Sequence, residues 1–139
     1  MNEDRPQSGY EEVEHTADWS LRVWAADFAG LLEQGARGMY HLLGIQQAQQ
    51  PLTSRKLELQ APDAETLMVD FLSELLYVAE EKGFAFRHFS LRGADTRLEA
   101  ELEGSRIEGL TKESKALRQH RMKIQQGDEQ LTTEIVFDV

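Results

Sequence analysis

Between Asp63 and Gly83 the chain carries the pattern that most restricts how it can fold. Leu67, Phe71, Leu75 and Val78 recur at helical spacing, and Leu72, Leu76 and Ala79 widen the apolar face beyond what a helix in water leaves exposed. Asp63 can accept an orphan backbone N–H at the start, and Lys82 and Gly83 supply the cation and the left-handed residue that a helix C-terminus prefers. Such a helix needs a broad apolar surface to cover. An earlier helix is predicted from Asp27, its N-cap, to about Leu43, with Phe28, Leu31, Leu32, Gly35, Met39 and Leu43 at helical spacing and Gly44 closing it. "IQQAQQP" after it reads as a polar loop.

Alternating stretches supply that surface. "YEEVEH" and "SLRVWAAD" read as two short strands joined by "HTAD", with Leu21 and Val23 on one face and Arg22 and Trp24 on the other. "LTSRKLELQ" alternates between the two helices. "FAFRHFSLRG", "RLEAELEG", "KALRQHRMKIQ" and "LTTEIVFDV" follow, separated by "GAD", "GSRIEGLTKES" and "QGDEQ". The order predicts an α+β fold, a single domain with two helices packed on one face of a largely antiparallel sheet. Residues 1–9 are expected to be a disordered or loosely held tail and residues 10–139 the domain; no linker or repeat divides it.

A chain of 139 residues is long enough to bury one core without staples, and its lack of cysteine removes disulfide and thiolate chemistry. No apolar run approaches the roughly 20 residues of a membrane span, and the polar start "MNEDRPQSGY" lacks the features of a signal peptide, so a cytoplasmic address is expected. Lys and Arg total 15 against 25 Asp and Glu, a formal charge of -10. That field repels phosphate backbones, so no tight nucleic-acid binding is expected, and it favours cations and basic protein surfaces. "KESKALRQHRMK", Lys112 to Lys123, reverses the sign locally, as a contact patch or as a solvated strand face.

Few residues could carry chemistry. Asp18 stands among apolar neighbours in "VEHTADWS", where a carboxylate is costly unless paired, hydrogen-bonded or metal-bound. In "EIVFDV" a strand with Ile135 and Phe137 on one face would put Asp138 on the other, at its tip beside Val139. Asp18, Asp138 and an oxygen of Val139 would hold a hard cation such as Ca²⁺ if the two strand ends are neighbours; otherwise the aspartates are capping or turn residues. His15 reads as a ligand, a general base or a core histidine bonded to a backbone carbonyl. Trp19 and Trp24 read as core residues or as anchors for a partner. Zinc-like spacing, a phosphate loop and a nucleophile elbow are absent from the sequence.

"EHTADWSLRVWAADFAGLLEQGARGMYHLLG" resembles the opening of the archeases: a His-Thr-Ala-Asp turn, a strand, and a helix ending in a Met-aromatic pair before a glycine. "LMVDFLSELLYVAEEKGFAF" resembles the family's second helix, "SKALRQHRMKI" its Lys-Ala strand and "FDV" its ending. The resemblance implies a protein cofactor, not itself an enzyme, of the GTP-dependent RNA ligase that joins tRNA halves, promoting the ligase's guanylylation and multiple turnover. It also implies a divalent-metal site, typically calcium, with Asp18, Asp138 and Val139 as ligands, and makes Lys115 the Lys-Ala lysine. Leu117, Arg118 and Gln119 replace the usual valine, threonine and tyrosine, and Trp19 replaces a small aliphatic residue. Two other readings are a metal-dependent hydrolase using His15 as base and a chaperone-like protein-binding module.

Overall fold

The computed structural model describes residues 7–13, 19–110, 116–117 and 122–138. In chain order these form β1 (Gly9–Val13), β2 (Trp19–Ala25), α1 (Phe28–Leu43), β3 (Gln46–Gln47), β4 (Thr53–Gln60), α2 (Ala64–Lys82), β5 (Phe84–Ala94), β6 (Arg97–Gly109), β7 (Ala116–Leu117), β8 (Gln125–Gln126) and β9 (Leu131–Asp138). Two helices and all-antiparallel pairing bear out the predicted α+β class.

Both helices start and stop where local chemistry dictates. The Asp27 carboxylate accepts from the Gly30 N–H at 2.7 Å, and Gly44 ends α1 in the left-handed region at φ 67°. In α2 the Asp63 carboxylate accepts from the Thr66 N–H at 2.8 Å, which holds its carboxyl below the usual carboxylate range, and Gly83 ends the helix at φ 65°. Leu67, Phe71, Leu72 and Leu75 are fully buried, as their spacing requires.

The strands form two sheets rather than one. In the first the order is β1-β2-β9-β7, with β8 also on β9; in the second β6 is central and pairs β3, β4 and β5. A single core joins both sheets to both helices, drawing Leu21, Ile135 and Phe137 from the first sheet and Phe86, Leu98 and Leu102 from the second.

Three local expectations are revised. The stretch expected to turn after Gly104 continues as strand to Gly109, held where Ile107 N–H donates to the Gly83 carbonyl and Ala48 N–H to the Arg106 carbonyl. The polar loop after Gly44 contains β3, paired on the extended end of β6. "KALRQHRMKIQ" is not one strand: β7 covers Ala116–Leu117, β8 Gln125–Gln126, and Met122–Ile124 between them is irregular. There Met122 is buried, the Glu65 carboxylate accepts from the Ile124 N–H at 3.0 Å, and Thr133 Oγ1 donates to the Lys123 carbonyl at 2.9 Å. Side chains thus take backbone groups that a ladder would otherwise have used.

Candidate functional site

The described residues that flank the two sites singled out in the sequence meet at one end of the first sheet. β2 begins at Trp19, the residue after Asp18, and Trp19 is registered against Phe137, the residue before Asp138. On the other side of β9, Ala116, which follows Lys115, is registered against Asp138, and Leu117 against Phe137. Three segments distant in sequence therefore run side by side at this end, held there by β9 as the central strand.

Packing beneath fixes these backbones. Leu21 and Ile135 are paired across the ladder and fully buried, and Phe137 is 1% exposed. Their burial against α1 and α2 opposes any slip, because shifting β9 by one residue would turn its apolar set out of the core. Of the residues predicted to act, Asp138 is described as the last residue of β9, while His15, Asp18, Lys115 and Val139 lie outside the described residues. Trp24, one of two candidate anchors, is 5% exposed and lies over Gly9, so it belongs to the packed interior. Among the described residues no group of three or more His, Asp and Glu is arranged to hold a metal ion.

Sequence reasoning missed a polar cluster on the second sheet. A bulge between Phe86 and His88 turns Arg87 toward the segment after β3, where its Nη2 donates to Ser105 Oγ at 2.7 Å and to the Ala48 carbonyl. Ser105, fully buried, donates to the same carbonyl, and Arg87 Nε is buried without a partner. The signal lay in the spacing of Phe84, Phe86, Phe89 and Leu91, whose alternation slips by one at Arg87. On the outward face of the same sheet a hollow of about 450 Å³ is lined by Lys56, His88, Ser90, Glu101 and Glu103, with His88 Nε2 3.9 Å from Glu103 Oε1. It contains none of the residues that the sequence singled out.

The model of the archease protein family matches residues 10–139. The protein archease of Methanopyrus kandleri is 29% identical over 143 residues, covering 94% of this chain and 99% of its own. The crystal structure of an archease from Thermotoga maritima, described as a possible chaperone, has a TM-score of 0.71 at 22% identity and covers 93% of this chain and 96% of that one. The solution structure of Methanobacterium thermoautotrophicum protein 1598 has a TM-score of 0.68 at 22% identity and covers 94% and 99%. At such identity the two structures establish the fold, and the family match extends over the strands and helices just described. The chain belongs to the archease family.

Proposed function

We propose that this chain is a protein cofactor of a GTP-dependent tRNA-splicing RNA ligase, promoting the ligase's guanylylation and multiple turnover, and that it holds a divalent cation, Ca²⁺ in the first instance, with Asp18, Asp138 and an oxygen of Val139. The observation that carries the reading is the register of Trp19 against Phe137. If that ladder continues by one pair, Asp18 meets Asp138 at the roughly 4.5–5.5 Å Cα spacing of opposed residues, and two carboxylates so opposed repel unless a cation lies between them. The donors are all oxygen, which suits a hard cation. When bound, the ion would neutralise the pair and fix both strand ends. Lys115, one residue before Ala116, then belongs to the surface presented to the ligase.

The chain's charge of -10 supports the same assignment. A ligase that handles RNA presents basic surface, and complementary fields speed and orient the encounter without RNA contact by this chain. Ligation with limiting ligase, run with and without the chain, tests the proposal: turnover beyond one product per ligase is expected only with it. An unchanged yield overturns it. The Thermotoga maritima structure's description as a possible chaperone favours a second reading, a general protein-binding module. Pull-down separates the two, since a ligase cofactor recovers the ligase and a chaperone recovers many proteins.

A further inference from the structure

The two edges of the second sheet are treated differently. At β5, Tyr40 Oη accepts from the Phe86 N–H and Arg37 Nη2 donates to the Arg87 carbonyl, both at 3.2 Å, so α1 covers part of that edge. At β4 the strand pairs β6 on one side only, and among the described residues its other side receives no hydrogen bond. Thr53, Ser54, Arg55, Lys56, Glu58 and Gln60 are exposed along it. An open edge of eight residues is a template for another strand.

We infer that a second copy of this chain occupies it, β4 pairing antiparallel with β4 about a two-fold axis through Leu57. Residues opposite each other must share a face, so the axis passes through a residue. Lys56 and Glu58 share the outward face, where they oppose Glu101 and Glu99 of β6, while Leu57 packs on the core side. An axis through Lys56 or Glu58 would put a charge opposite itself. The axis through Leu57 sets Lys56 opposite Glu58 of the second copy twice, and Leu57 opposite Leu57. It also answers a mismatch within one copy, because Glu58 is registered against Glu99, a like-charge pair that Lys56 of the second copy would relieve. The contact is isologous and closes, giving a dimer with β5, β6 and β4 of each copy in one six-stranded sheet.

Sedimentation equilibrium of the full chain tests this. A dimer at high micromolar concentration is expected; Lys56→Glu or Glu58→Lys alone should weaken it about ten-fold or more, since two attractive pairs become repulsive, and the double exchange should restore it. The chain has no cysteine, so Leu57→Cys gives a second measurement. Residues paired across a ladder are within disulfide reach, and oxidation should cross-link that variant but not Ser73→Cys on the exposed side of α2. A chain monomeric at every concentration and not cross-linked overturns the inference, as does a dimer indifferent to both single charge reversals. So would amide protection of residues 53–60 that appears only when another protein is added, which would assign the edge to a partner's strand.

Discussion

Trp19 and Phe137 are paired across the antiparallel ladder of β2 and β9, although they stand near opposite ends of the chain. The pair joins the start of β2 to the tip of β9, and Phe137, 1% exposed, secures the junction from the core side. Phe137→Ala should therefore cost about 3–5 kcal/mol, the range for truncating a buried aromatic. Urea unfolding measures it. A loss under about 1 kcal/mol would mean that the end of β9 is held by something other than this side chain.

The proposed cation site predicts a split between ligands and contact residue. Asp18→Asn or Asp138→Asn should lower calcium affinity at least about ten-fold and abolish stimulation of ligation, while circular dichroism stays unchanged. Lys115→Ala should impair stimulation and spare calcium binding, as titration calorimetry would show. In the unmodified chain, calcium at about 100 times its Kd should add about 2.7 kcal/mol of stability, because an ion that binds only the folded state draws the equilibrium toward it. Chelation should remove that gain, and at the same calcium concentration the two aspartate variants should show about half of it or less.

Much of this arrangement was legible in the sequence because the devices that fix it are local. Asp27 and Gly44, and Asp63 and Gly83, bound α1 and α2 in the structure as in the sequence, since capping depends on residues within one turn. The division into two sheets was not legible. Alternation says which face of a strand is buried but not which strand is its neighbour, and β9 joins β2 from the far end of the chain. β3 and β7, two residues each, are too short to show any period. Met122–Ile124 fails to continue a strand because Glu65 and Thr133, remote in sequence, bind its backbone. For the candidate site, Asp18 and Asp138 were singled out from the sequence alone, whereas the adjacency of the flanking Trp19 and Phe137 required the fold.

Tyr40 predicts a change of stability in alkali. Burial of its phenol raises its pKa well above the usual range, only partly opposed by the hydrogen bond from the Phe86 N–H. A folded pKa above the unfolded value of about 10 means that the contribution is complete below that pH and is lost as the pH rises beyond it. Tyr40→Phe should cost about 1–3 kcal/mol at neutral pH by leaving the Phe86 N–H unpaired, and it should abolish Tyr40's share of the alkaline loss. Urea unfolding on both sides of pH 10, for both chains, measures each effect.

Gly104 sits where β6 passes the bulge of β5, and it sets two opposing effects against each other. Alanine would gain about 0.5–1 kcal/mol over glycine within a strand. A Cβ there, however, would stand 2.0 Å from the Ala85 carbonyl oxygen and 2.6 Å from the Phe86 Cα. Those are backbone atoms, so relief requires the bulge itself to move, and with it the Arg87 side chain bonded to Ser105 and Ala48. The clash should win, so that Gly104→Ala destabilises by about 3 kcal/mol, the upper end for overpacking. Gly109→Ala is the control: its Cβ would approach nothing closer than Gln46 Oε1 at 3.4 Å, so it should be neutral or gain up to about 1 kcal/mol. Equal effects at the two positions, read from denaturant midpoints, would show that the approach of β5 to β6 at Gly104 is not what holds the bulge.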